Sequence, residues 1–174
     1  MARAAGEGQY ERAAAEWIAV ERRLFDAEIG NWADLRFPDS GAGRFSCNWC
    51  HGAAGVGFAR LDGGTVDAAV AHEIDVALRT TLEHPMGICD HLCCGNFGRL
   101  DFLLTAGDKL QRPDLVALAR KRAATRLDAT RGAFAWALGT DADNPGFFQG
   151  ISGIGYELLR LAQPDELPSV LLWH

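Results

Sequence analysis

His91-Leu92-Cys93-Cys94-Gly95-Asn96-Phe97-Gly98 sets two adjacent thiols directly ahead of a Gly-x-x-Gly step and an apolar run from Phe97 to Leu104. Thiols that can ionise together attract a soft cation, with zinc the first candidate. A second copy lies upstream as Trp49-Cys50-His51-Gly52-Ala53-Ala54-Gly55, and Gln149-Gly150-Ile151-Ser152-Gly153 repeats the glycine step further on. The first glycines of the three steps are separated by 43 and then 55 residues. Each step opens an apolar segment preceded by a more amphipathic one, the pattern of an internal repeat. Each unit reads as a helical hairpin with an outer, charged-faced helix and an inner, apolar one. Glycines at the start of the inner helix let neighbouring backbones approach and leave its N–H groups free to face a site.

Working outward, the spacing predicts a helix from Glu11 to Phe25, with Tyr10, Ala14, Trp17, Ile18, Leu24 and Phe25 on one face. A turn-rich loop from Asp34 to Gly43 leads to Cys47-Asn48-Trp49-Cys50. A second helix starts at Gly52 and stops at Gly63-Gly64. A third runs from Val66 to Leu82 and is broken by His84-Pro85-Met86-Gly87. The fourth covers Gly95 to Ala106, and the fifth runs from Pro113, suited to a first turn, to Asp128. Phe134 to Leu138 fits a short strand or extended edge. A sixth helix opens at Gly150 and ends near Ala162. The fold expected is all-α, an arc of about three helical hairpins. An arc of this kind leaves apolar edges that further repeats or caps would close.

The chain has 174 residues, enough for one domain with a sizeable core, and 48% are apolar. A formal charge of −6 argues against a nucleic-acid or anionic-membrane partner. The densest basic run, Arg120-Lys121-Arg122 with Arg126, fits the solvated face of a helix. No segment approaches the roughly 18 consecutive apolar residues of a spanning helix, and the N-terminus lacks the apolar stretch of a secretory signal. Five cysteines is an odd count with four in two close groups, which fits a cytoplasmic metal or catalytic role better than an extracellular disulfide framework.

The cysteines admit several chemistries. Cys50, Cys93 and Cys94 all fall just before inner helices, where the helix N-terminus favours thiolate. Three thiolates on one zinc leave a tetrahedral position open, as in catalytic sites. Cys47-x-x-Cys50 with Cys89-x-x-x-Cys93 makes a closed four-cysteine alternative, and paired short spacings are the commoner zinc signature. Cys47 and Cys50 can also be read as a redox dithiol, though no strand–turn–helix surrounds them. Buried small hydrophobes are the plainest reading for Cys47 and Cys89. His51, beside a candidate ligand, fits a proton donor, a support for the ligand or plain packing about equally. His91 fits a loop hydrogen-bonder equally well, and no carboxylate pair has a spacing suited to acid–base work.

Trp49-Cys50-His51-Gly52-Ala53-Ala54-Gly55-Val56-Gly57 and Leu92-Cys93-Cys94-Gly95-Asn96-Phe97-Gly98-Arg99 resemble the signature segments of the lanthionine synthetase (LanC-like) cyclases. They are most similar to the C-terminal cyclase domain of class II, LanM-type enzymes. Glu21 to Asp26 with Asn31 to Arg36, Gln149 to Tyr156, and Leu167 to Leu172 agree, in the same order. The resemblance implies an α/α-toroid with zinc ligands atop its inner ring. Cys50 matches the first ligand, and Cys93-Cys94-Gly95 matches the three-cysteine subgroup in place of Cys-His-Gly, so Cys47 and Cys89 are not ligands by this match.

The reaction implied is Michael addition of a precursor-peptide cysteine thiol to dehydroalanine or dehydrobutyrine, giving a thioether ring. The implied partner is thus a dehydrated lanthipeptide precursor. His51 stands where stand-alone cyclases often carry Tyr, as LanM-type sequences commonly do. By the same match, residues 1–174 form the C-terminal part of a cyclase domain. The upstream repeats with the family's proposed proton-handling His and Asp, and the dehydratase part, are not in this sequence. That missing N-terminal part of a LanM-type enzyme is a second implied partner, and little turnover is expected of the chain alone. The other class left open is a non-catalytic α/α scaffold or peptide-binding module with structural or vestigial zinc.

Overall fold

The computed structural model describes residues 8–36, 45–64, 66–130, 132, 135–139 and 144–172. The described residues are mostly helical, and the chain belongs to the all-α class expected. It divides into two compact units, Met1–Ser46 and Cys47–His174.

In the first unit, helix α1 spans Gly8–Arg22 and buries none of its residues. Trp17 and Tyr10 are 68% and 51% exposed, so the predicted apolar face is not a core face. The predicted helix end at Phe25 is corrected. Phe25–Asp26 forms strand β1, paired antiparallel with β2, Asn31–Trp32. The Asp26 carboxylate accepts the amides of Glu28 and Ile29 at 2.9 and 3.1 Å, closing a turn that competes with the last helical turn. Gly30 completes it at φ 68°, in the left-handed region. The Phe25 and Trp32 rings meet at 4.9 Å across the pair.

The second unit holds helices α2 (Ala53–Asp62), α3 (Ala68–Glu83), α4 (Asn96–Lys109), α5 (Pro113–Ala129) and α6 (Ile151–Ala162), then a 3₁₀ turn at Val170–Leu172. Asp67 caps α3 by accepting the Val70 amide at 2.8 Å, and Pro113 opens α5. Helices α2, α4 and α6 are the three glycine-led segments, and α4 packs against both of the others. Every residue of α4 from Asn96 to Gly107 is buried, whereas α5 buries only Leu115, Ala119 and Ala123. The inner and outer layers read from the apolar pattern are therefore present. Their pairing differs from expectation, because α2 and α4 each pack most closely on the outer helix that follows, α3 and α5.

Phe97, Leu100, Phe102 and Leu103 of α4 are fully buried. Each such side chain contributes about 1.5–3 kcal/mol on removal from water. Phe102 packs on Phe58 at 5.3 Å and lies over Gly57, where a Cβ would fall 2.3 Å from the ring. Of the two readings of Phe134 to Leu138, short strand or extended edge, no strand forms among the described residues. Residues 135–138 have no regular structure, and Phe134 lies outside the described residues. Asp90 supplies the reason, because its backbone N–H donates to Ala137 O and its carboxylate accepts Ala137 N–H, holding that segment as a loop clamp.

Candidate metal centre

The glycine steps explain how the thiols are held. A Cβ on Gly55 would lie 1.9 Å from Trp49 O, one on Gly98 2.0 Å from Leu92 O, and one on Gly153 1.9 Å from Phe147 O. In each repeat the second glycine thus lets the first helical turn press onto the carbonyl of the residue six places earlier. The residue after that carbonyl is Cys50, Cys93 or Phe148. These three equivalent positions are joined in a backbone ladder. Cys50 N–H donates to Cys93 O at 3.3 Å, and Cys93 N–H donates to Phe148 O at 2.9 Å.

The ladder brings sulfur to sulfur. Cys50 Sγ lies 3.0 Å from Cys94 Sγ, which lies 3.4 Å from Cys93 Sγ. All three sulfurs fall within 4.8 Å of one another, the one such group of metal-binding side chains among the described residues. Each is half-buried. Asn48, with its amide oriented to satisfy its neighbours, donates to Cys94 O at 2.9 Å and Cys47 O at 3.3 Å, tying the two loops together. Burial pushes the Cys50 thiol well above its ordinary value, and hydrogen bonds with Cys94 and Cys93 push it further. Thiols so crowded resist ionising together unless a cation shares their charge. The donor set fits a soft metal, since sulfurs of a tetrahedral zinc site stand about 3.8 Å apart.

The four-cysteine alternative is not what this geometry assembles. Cys47 is 1% exposed and its Sγ donates to Thr81 Oγ1 at 3.4 Å, away from the cluster. Burial raises its pKa, as it does for half-buried Cys89, which also lies outside the three-sulfur group. His51 is half-buried next to Cys50, and its carbonyl accepts Asn48 N–H at 2.9 Å. His91 is 7% exposed, and its Nδ1 accepts the Cys94 amide at 3.2 Å. Burial lowers its pKa, so it serves as a neutral loop acceptor.

Sequence reasoning missed the residues that hold the loops. Trp49 stacks on Phe148 at 5.6 Å and 6°, and its Nε1 donates to Leu171 O at 3.2 Å. The C-terminal turn therefore anchors the residue before the first candidate ligand. Aligning the three Gly-x-x-Gly steps would have placed Phe148 in register with Cys50 and Cys93. The other missed residue is Asp90, fully buried beneath the Cys93–Cys94 loop. It accepts Arg126 through two nitrogens, Asn96 Nδ2 at 2.8 Å and Ala137 N–H at 2.9 Å. Nothing in its local sequence marks it, because its partners come from three separate segments.

Glycine-led inner helices with a three-thiol cluster at their N-terminal ends define an all-α protein carrying a candidate soft-metal centre. Residues 1–172 match the family described as Lanthionine synthetase C-like protein, and the chain belongs to that family. No curated protein and no solved structure matches it. No helix among the described residues is long and apolar enough to cross a membrane.

Proposed function

We propose that the chain is the zinc-binding part of a lanthionine cyclase domain, of the LanM type, acting on a dehydrated precursor peptide. The observation that carries the reading is the Cys50, Cys93 and Cys94 cluster at the inner helix starts of a LanC-like chain. These three residues would hold the zinc. Bound there, the ion supplies Lewis acidity that favours the thiolate form of a fourth, substrate sulfur. The chain's residues do the rest. The backbone ladder and the Trp49–Phe148 stack hold the two cysteine loops together, so that the three sulfurs would meet one ion and a substrate sulfur would complete its tetrahedron.

In the addition, the peptide cysteine sulfur bonds to the β-carbon of dehydroalanine or dehydrobutyrine, the C=C π bond breaks, and a proton is delivered to the α-carbon. We assign the delivery of that proton to His51, the residue next to Cys50 in the chain. Support for the three-cysteine ligand set comes from sulfur proximity and from the position of Cys47 against Thr81.

Cobalt substitution tests the open fourth position. Each Co–S bond adds near-ultraviolet charge-transfer absorbance, so a cysteine-containing peptide should raise that band in the cobalt-loaded chain and a serine analogue should not. Thioether formation on a pre-dehydrated peptide then reads the chemistry; little is expected of this chain alone, and what there is should fall further in His51→Gln while the cobalt response stays intact. A band unchanged by the thiol would mean a closed, structural site and would favour the scaffold reading.

A further inference from the structure

The sulfurs of the cluster stand closer than metal ligation alone requires. Cys50 Sγ and Cys94 Sγ are 3.0 Å apart, inside the roughly 3.8 Å spacing of a tetrahedral zinc–thiolate site. A side-chain adjustment of about 1 Å reaches bonding distance. The two residues are 44 positions apart and belong to separate segments, so joining them closes no strained ring, unlike joining the adjacent Cys93 and Cys94. Their backbones are held in register by the Cys50 N–H to Cys93 O bond and by Asn48 on Cys94 O. All three sulfurs belong to half-buried residues, whereas Cys47 is buried against Thr81.

We propose that Cys50 and Cys94 form a reversible disulfide, making the metal centre an oxidation-sensitive switch. The inference rests on the zinc reading above. The oxidant is a peroxide. One of the two thiolates attacks the O–O bond, which breaks to leave a sulfenic acid and one water after protonation. The second thiolate attacks that sulfur, the S–S bond forms, and hydroxide leaves to be protonated to a second water. Two thiolates lose two electrons, and the peroxide takes them with two protons. Cys93 remains as a single ligand, too few to retain the ion, and a small-molecule thiol restores the pair.

The experiment uses the zinc-loaded wild-type chain and hydrogen peroxide at a small excess. A chromogenic chelator reads zinc release, and peptides are mapped without reduction. Loss of essentially all bound zinc is expected, together with a peptide pair joined through Cys50 and Cys94. Dithiothreitol should reverse both. Cys93→Ser should still cross-link, and Cys47→Ser should behave as wild type. Zinc retained under peroxide, or zinc released with only a Cys93–Cys94 link or sulfinic acids, would overturn the switch. A chain that takes up no zinc before peroxide is added overturns the metal reading first, a failure seen separately from that of the switch.

Discussion

Asp90 and Arg126 form a two-pronged ion pair, with Nε 2.7 Å from Oδ1 and Nη2 2.6 Å from Oδ2, across 36 residues of sequence. The carboxylate is fully buried and the guanidinium comes from the last turn of α5. This pair fixes the loop that ends in Cys93 and Cys94 to an outer helix, so it links fold stability to the candidate centre. Asp90→Ala would take the acceptor from Arg126, Asn96 and the Ala137 amide, at about 1–3 kcal/mol for each buried donor left unsatisfied, while Arg126, 28% exposed, can turn to water. Asp90→Ala is therefore expected to lower the unfolding free energy, read as a lower urea midpoint, and to weaken metal retention against a chelator. Retained stability and metal in Asp90→Ala would show that the loop is held by other contacts.

The same carboxylate sets an acid limit. Burial works against its charge, but hydrogen bonds from Arg126, Asn96 and the Ala137 amide hold its pKa below the ordinary value. A group depressed in the folded state contributes its stability above the unfolded pKa, about 3.9, and loses it as pH falls through the folded value. Acid unfolding followed by circular dichroism should show this loss below about pH 4 in wild type, and a shallower dependence in Asp90→Asn.

Glu157 of α6 gives the opposite sign. It is 0% exposed, and neither carboxylate oxygen receives a hydrogen bond among the described residues. The Nη1 of Arg160 is 3.9 Å from its Oε1. Burial pushes its pKa well above the carboxylate range, Asp101 adds to the rise, and Arg160 partly opposes it. A carboxyl raised in the folded state contributes fully below its unfolded value, about 4.3, and that stability is lost as pH rises toward the folded pKa. Glu157→Gln should therefore raise the unfolding free energy near pH 8 by about 1–3 kcal/mol, seen as a higher midpoint, and change little near pH 4. Equal midpoints for the two proteins near pH 8 would mean that Glu157 is ionised and compensated.

The glycine ladder makes a structural claim of its own. In Gly98→Ala the new methyl would meet Leu92 O at 2.0 Å, a backbone atom that moves only with the Cys93 loop. Gly155→Ala, two residues beyond the equivalent Gly153, meets nothing within 4 Å. The first substitution should destabilise the fold and disperse the sulfur cluster, whereas the second should be neutral or slightly stabilising through helix propensity. Thermal midpoints with thiol-accessibility assays would separate them, and a tolerated Gly98→Ala would refute the close approach.

Much of this was legible in the sequence because it depends on local pattern. The apolar run of α4, the Pro113 start and the glycine steps each announce a helix by their own residues. Cys50, Cys93 and Cys94 could be picked out by repeat register, but their proximity depends on the Cys50–Cys93–Phe148 backbone ladder, which no spacing displays. The β1–β2 pair was hidden because Leu24 and Phe25 continue the helical stripe, while the Asp26 turn that ends it is two residues of backbone bonding. Asp90, Arg126 and Ala137 converge from three segments, and a buried carboxylate of that kind is indistinguishable in sequence from a solvated one.

The central claim is that Cys50, Cys93 and Cys94 are the ligand set and Cys47 is a packing residue. Zinc content of the purified wild type, Cys94→Ala and Cys47→Ala chains tests it most directly. One zinc per chain is expected in wild type and in Cys47→Ala, with its loss in Cys94→Ala. Zinc kept by Cys94→Ala and lost only from Cys47→Ala would contradict the account.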